Sequence, residues 1–402
     1  MNSDSAAAAA AKNVSPGKTL NPGAAFWLLA SIFVAFLAAS SAPSPLYALY
    51  REAWGFSPLV LTLVFASYAF SLIAALLVLG SLSDYRGRRE VVLLALVLEL
   101  LATGLFWRAD SVGWLMAART LQGLATGIAT SVLSAALIDL DRDRGAFVNS
   151  TAPTLGLAFG ALGTSLLVQF APGPTTLVFE LLLALFALQT VAAFFLPETV
   201  QRHTGAWHSM RPHVAVPPQA RATLWRITPV NTATWAFSGF YLSLGPTLAR
   251  DLTGNHSALV GGGLIGALML TAVIAVLLVR TRAPGPVLRG GTVALALGLV
   301  LALVGVVLGS SVSFFAGSII GGAGFGMAFN GSMRSLVTLA LPQQRGGLMA
   351  GFFVLSYLAF SLPALAAGLL TGRFGLHDAA MVFCAALVLL CLLALVLMRK
   401  RG

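Results

Sequence analysis

Glu99, Arg119 and Glu180 lie inside long apolar runs, where an unpaired charge is hardest to place; Arg334 lies in another, nearer its end, where it reads as a snorkelling arginine or a contact for a substrate anion. At mid-depth in hydrocarbon such a charge costs about 2.5–3.5 kcal/mol even on the mild insertion scale, which makes each a functional candidate. Measured along a helix at 1.5 Å per residue, Glu99 and Arg119 stand about 14 Å and about 10 Å from the same end of their runs. A carboxyl group that moves between an unpaired buried setting and the field of an arginine changes its proton affinity and can carry a proton. A static ion pair or a neutral, hydrogen-bonded acid accounts for the same residues without any transfer.

A second constellation is Gly80-Ser81-Leu82-Ser83-Asp84-Tyr85-Arg86-Gly87-Arg88-Arg89. It reads as a tight basic turn, with Asp84 ending one helix, Gly87 free to take a positive φ, and arginines around the next helix start. A third set is neutral: Tyr47; Gln122 and Thr126 on one helix face; Asn231, Trp235, Ser238 and Tyr241 at three- and four-residue steps; Asn330; Tyr357. Each alone more often bonds a neighbouring helix than a ligand. Together they suit a cavity that mixes apolar, aromatic and neutral polar groups, as small-molecule sites do. Pro43, Pro45, Pro246 and Pro363 break backbone bonds nearby and permit bending.

Other chemistries lack their residues. His203, His208 and His213 recur every five positions, which is not a metal-binding pair, and Cys384 and Cys391 form no framework. There is no HExxH and no phosphate-binding loop, so neither a metal, a cofactor nor ATP is expected, and no enzyme.

The positioning elements follow from composition. Of 402 residues, 58% are hydrophobic and 9% charged, against about 25% charged in soluble domains. The net charge of +11 would suit a nucleic-acid partner only if the basic residues clustered on a polar surface, and here they lie in short islands between apolar runs. The chain reads as a polytopic membrane protein with spans at 25–49, 58–80, 90–108, 112–138, 146–170, 175–197, 228–249, 257–280, 287–309, 313–340, 347–370 and 377–398. Residues 1–24 read as a disordered tail, 25–198 as one six-helix unit, 199–227 as a central loop, 228–398 as a second unit and 399–402 as a basic tail. Only Arg51, Arg108, Arg250 and Arg373 fall on the side away from the termini, against eighteen Lys and Arg on the terminal side; both termini are expected in the cytoplasm. At one offset of 201 residues Pro45 meets Pro246, Arg88 meets Arg289, Gly123 meets Gly324 and Arg144-Gly145 meets Arg345-Gly346, as in a duplicated bundle.

The turn after the second span resembles the G-x-L-x-D-x-x-G-R-R signature of the major facilitator superfamily. Arg119-Thr120-Leu121-Gln122-Gly123 resembles the R-x-x-Q-G pattern of its fourth helix. Gly156, Gly160 and Gly163 partly match the antiporter pattern of its fifth, with Ala161 in place of a proline. The resemblance implies an all-α membrane fold of twelve transmembrane helices, in two six-helix bundles related by a pseudo-twofold axis. It implies a charge cluster of Asp84 and Arg88, set by Gly80, Gly87 and Arg89 and joined by Asp139, that locks the outward-facing state. Gly285 stands where the second half would need its aspartate, so the lock is one-sided. It also implies a proton-coupling role for Arg119, and sets helices three and six, which hold Glu99 and Glu180, at the back of the bundle.

The expected activity is alternating-access transport: proton-coupled efflux of a small apolar or amphipathic drug or metabolite. Proton-coupled uptake of a metabolite or sugar is the alternative. A membrane receptor or intramembrane enzyme is a rival from another class, and an enzyme would need a convergent catalytic set that the spans lack. Partners are a small molecule, protons and the bilayer of the cell (inner) membrane, with no nucleic acid and a monomeric chain.

Overall fold

The computed structural model describes residues 19–201, 203–204, 214–341 and 344–399, so most of the N-terminal tail, His208, His213 and the last three residues lie outside the description. The described residues are almost entirely helical, with no strand among them. The first span is two helices, α1 (Pro22–Ser41) and α2 (Tyr47–Trp54), joined by a tight 3-10 turn at Ser44–Leu46. Then follow α3 (Pro58–Leu79), the short α4 (Leu82–Arg86), α5 (Arg88–Trp107), α6 (Val112–Leu140), α7 (Arg142–Phe170) and α8 (Leu177–Ala193). The second half holds α9 (Pro218–Ser243), α10 (Gly245–Thr253), α11 (Ala258–Val279), α12 (Pro284–Val307), α13 (Ser311–Val337), α14 (Arg345–Phe374) and α15 (Leu376–Arg399).

Ten of the spans are long and apolar enough to cross a membrane. At 17 residues α8 sits at the lower limit of crossing length. In the 26 residues of α9, Gln219, Arg221, Arg226 and Asn231 dilute the apolar content. With these two the chain makes twelve spans, the expected number.

Three boundaries differ from the sequence reading. Residues 20–24 are ordered: Leu20 N–H bonds Phe195 O at 2.8 Å, and the Asn21 side chain caps α1 by accepting from Ala24 N–H at 2.7 Å. The seventh span starts at Pro218, inside the predicted central loop. Pro217 and Pro218 read as loop residues, but a proline at the first helical position starts a helix because its missing N–H is not needed there. The turn between α6 and α7 is the single residue Asp141, whose carboxylate accepts from the N–H groups of Asp143 and Arg144 at 3.1 and 3.0 Å.

Buried side chains form three cores. One, containing Leu46, Phe65, Ala161, Phe240, Leu264 and Phe360 among others, draws on both halves of the chain and fills the end remote from the termini. A second lies wholly in the first six spans and a third wholly in the last six, both at the terminal end. The two bundles are thus fused at the far end and separate at the terminal end. Small residues make the fusion possible. Gly262 and Gly266 of α11 leave their Cβ positions to Ser165 and Leu162 of α7, and Gly368 of α14 does so for Thr62 of α3. Polar contacts across the same joint run from Ser257 Oγ–H to Gln169 Oε1 at 2.7 Å and between Arg250 and Glu52 at 3.9 Å.

Gly262→Val is therefore expected to force the far end apart. With Cys384 and Cys391 replaced by Ala, a cysteine at buried Ala161 should be slow to react with a thiol reagent in the parent and fast in the Gly262→Val background.

Candidate functional site

The innermost polar cluster begins with a helix that cannot continue. Pro43 has no N–H to offer Ala39 O, and α1 ends at Ser41, so the carbonyls of Ala39 and Ser40 lose their intrahelical partners. Arg119 and Gln122, three residues apart on one face of α6, supply donors instead. Arg119 Nη1–H bonds Ser40 O at 2.7 Å and Gln122 Oε1 at 2.7 Å, and its Nε–H bonds Tyr47 Oη. Gln122 Nε2–H bonds Ala39 O at 3.1 Å and Glu99 Oε1 at 3.0 Å. Gly123, next on α6, lets the helix lie directly on α3 at the Tyr68 carbonyl and Ser71. The guanidinium carbon stands 5.4 Å from the ring centres of Tyr47 and Tyr68 and 5.7 Å from that of Phe106.

Arg119 and Glu99 are both 0% exposed. The structure thus joins the two residues of similar depth, through the Gln122 amide rather than by direct contact. Glu99 points into its bundle although its helix stands at the back. Its Oε2 and Arg119 Nη2 have no partner.

Glu180 is elsewhere. It is exposed in the first turn of α8, where it accepts the Trp107 indole N–H at 3.1 Å. Its bond is to Trp107 and to no member of the Arg119, Gln122 and Glu99 line, so the structure does not bring it together with them.

The neutral set divides. Tyr47 and Gln122 belong to the arginine cluster, and Thr126 is buried one turn further along α6. Asn231 Nδ2–H bonds Ser356 Oγ at 3.0 Å between α9 and α14, and Ser238 is buried on α9. Tyr241 is a core residue: its Oη accepts from Ser318 Oγ–H at 2.9 Å and its ring stacks on Phe314 at 5.8 Å, so hydroxyl and ring are both taken up against α13. Trp235, Tyr357 and Asn330 are part-buried near the joint of the bundles. Gly156 and Gly160 make the close contact of α7 with α1, at Leu37 and Ala38, but Gly163 faces open space and has no packing role.

At the terminal end, Arg88 of α5 gathers the predicted cluster. Its Nη1–H groups bond Asp84 Oδ1 and Ser83 Oγ, each at 2.6 Å, and its Nε–H bonds Asp139 Oδ2 at 3.0 Å. Gly80 ends α3 with its Cβ position 3.5 Å from Ser131 Oγ of α6. Gly87 has φ +98°, and a Cβ there would strike the carboxylate of Glu198. That carboxylate accepts the backbone N–H groups of Arg88 and Arg89 at 2.7 and 3.2 Å, capping α5. Thr199 Oγ–H bonds Asp139 at 3.1 Å, so the end of the sixth span closes the cluster. The second half has no acid to match: Arg289 bonds Met398 O and Arg334 bonds Arg282 O, both at 2.9 Å.

Sequence reasoning missed Tyr68, Phe106 and Glu198. Nothing in the local pattern marks the first two as ring walls for Arg119, whereas Glu198 stood at a span end, where a carboxylate can cap a neighbouring helix. Among the described residues no three of His, Cys, Asp and Glu gather as metal ligands would.

Residues 28–301 match the sequence model of the Major Facilitator Superfamily. The chain belongs to that superfamily, and is a multi-pass membrane transporter. Its fold matches that of solved transporters across 94% of its length: the nucleoside transporter NupG (13% identity, 100% of that chain, TM-score 0.70) and the human organic anion transporter MFSD10 (20%, 100%, 0.62). It also matches a bacterial homolog of the human lysosomal transporter Spinster, solved inward-facing and unoccupied (13%, 97% of that chain, 0.74). No curated protein sequence matches the chain.

Arg119→Ala removes the donor of three buried acceptors, and breaking a buried charged network costs about 3–5 kcal/mol. A large drop in thermal unfolding temperature is expected in detergent. Arg108→Ala, which removes only a contact of 5.6 Å with the Trp107 ring, should change it little.

Proposed function

We propose that this transporter works by alternating access and couples proton movement to the efflux of a small apolar or amphipathic compound. The observation that supports it most is the fully buried Glu99, held by one oxygen at the end of a hydrogen-bonded line from Arg119 through Gln122. A carboxyl group placed there responds to any shift of α1 against α6, because adjacent carbonyls of α1 hold the two members of the line, Ser40 O for Arg119 and Ala39 O for Gln122. The fused far core and separate terminal cores support a rocking motion, with the terminal end facing the cytoplasm.

The charged cluster at the terminal end takes a secondary part. Asp84, Arg88 and Asp139 all belong to the first six spans and are joined while the far end is shut. Their pairing alone does not distinguish two states. Asp84 is half exposed, at 56%, and would add a partner from the last six spans when the terminal ends meet. Glu180 has no part in the coupling proposed here. Uptake of a metabolite or sugar is the second reading. The wall around Trp235 holds few of the amide and acidic groups that bind sugars.

Reconstitution in liposomes with an imposed pH gradient and a substrate panel tests the proposal. The wild type should move substrate with the gradient. Glu99→Gln keeps an acceptor for Gln122 but cannot change charge, and should lose gradient-driven flux while retaining substrate exchange. Gradient-driven flux that survives in Glu99→Gln would contradict the assignment.

A further inference from the structure

Side-chain carboxylates are shared unequally between the two halves. After Glu198 the sequence holds only Asp251 and Asp378. Both belong to the far end: Asp251 lies on α10, 3.6 Å from His377, and Asp378 in the first turn of α15. At the terminal end, the first half sets Asp84, Glu90, Asp139, Asp141, Asp143 and Glu198 against its arginines. The second half sets no carboxylate side chain against Arg221, Arg280, Arg289, Arg399 and their neighbours. Orientation in the membrane accounts for basic residues at this end of both halves. Acidic residues count little towards orientation, so their absence from one half has another cause.

Packing gathers three of these arginines. Ala220 and Leu288 belong to the terminal-end core of the second half, and Met398 packs against it. Arg221, Arg289 and Arg399 each follow one of these residues in the sequence, and all three are exposed. Arg289 of α12 reaches the end of α15, where its Nη2–H bonds Met398 O at 2.9 Å, beside Arg399. Arg221 Nε–H bonds Val216 O at 3.2 Å. Both bonds go to carbonyls, so the positive charges stay unopposed. Trp225, one turn after Arg221 on α9 and 76% exposed, marks the depth at which headgroups meet a span.

Beyond these charges the surface suits hydrocarbon. α12 packs on α13 and α15, and α15 on α9 and α14, whereas the broad contacts with the first half are made by α11 and α14. Of the ten long apolar spans α15 is the least buried. From Arg289 an exposed row follows α12 through Val293, Leu297, Val300 and Val304. From Arg399 a second follows α15 back through Val396, Leu392, Leu389 and Val382. Each row lies on one helix face.

We propose that this rim binds an anionic phospholipid of the leaflet at the terminal end. Its phosphate lies among Arg221, Arg289 and Arg399, where it offsets the repulsion of three cations, and its acyl chains cover the rows on α12 and α15. The site depends neither on the coupling group nor on the direction of transport.

Native mass spectrometry of the full-length protein released from mixed micelles tests it with phosphatidylglycerol, phosphatidylcholine and soluble glycerol phosphate. The first phosphatidylglycerol should bind about tenfold more tightly than phosphatidylcholine. Arg289→Gln together with Arg399→Gln should bring the two lipids level. Arg142→Gln together with Arg144→Gln removes as much charge from the first half and should leave the preference in place. Glycerol phosphate, which has the anion without the chains, should not displace the lipid. If the first pair of changes lowers the unfolding temperature, Arg289→Lys together with Arg399→Lys decides: a kept preference upholds the site and a lost one overturns it. Equal binding of the two lipids by the wild type would also overturn it. So would an equal loss in the two glutamine pairs, the mark of a diffuse basic face, or displacement by glycerol phosphate, the mark of a site for free anions.

Discussion

An enclosed guanidinium sets the terms for the first six spans. Arg119 has no access to water, so its donors need acceptors that a regular helix does not leave free, and Nε and Nη1 find them. Pro43 and the end of α1 release two such carbonyls, and the negative end of that helix faces the cation. Tyr47 is delivered to Nε by the turn that Pro43 and Pro45 impose, and Gln122 passes the contact on to Glu99. The break in the first span and the charge in the fourth therefore explain one another. Without the break the charge would be unpaired, and without the charge the freed carbonyls would be buried and unmet.

The second constraint is the unequal packing of the two ends. Glycines at positions 262, 266 and 368 leave room for Ser165, Leu162 and Thr62 of the opposite bundle at the far end, where Ser257 and Arg250 add polar links. At the terminal end each bundle keeps a core of its own. Two bodies that are each well packed and touch through small residues can pivot about that joint. The Arg119 cluster lies inside one of these bodies, and Trp235 and Tyr357 pack against the core that joins them.

Much of this was legible beforehand. Apolar run lengths placed the spans because hydrocarbon thickness dictates helix length, and the turn at Gly80 to Arg89 announced its own geometry: Gly87 takes the positive φ and Arg88 finds both Asp84 and Asp139. Depth along the helix brought Glu99 and Arg119 to one level. What depth cannot supply is direction, and so Glu180, also in an apolar run, stands exposed at a helix start and bonds Trp107. Nor does a polar residue in a span reveal which neighbour it meets. Tyr241 shares a helix face with Asn231 and Ser238 yet spends its hydroxyl on Ser318. Gly163 fits a spacing pattern but faces nothing. The prolines permit bending, and Pro43 also unmasks acceptors for another helix, which only the three-dimensional arrangement displays.

Distances between spin labels on the two bundles, taken at both ends across a pH series by pulsed electron resonance, test the central claim most directly. In the wild type the far-end distance should lengthen as the terminal-end distance shortens, with populations that shift with pH, and in Glu99→Gln the populations should stop responding. Reciprocal movement whose pH response is unchanged in Glu99→Gln would place the proton elsewhere and contradict the account.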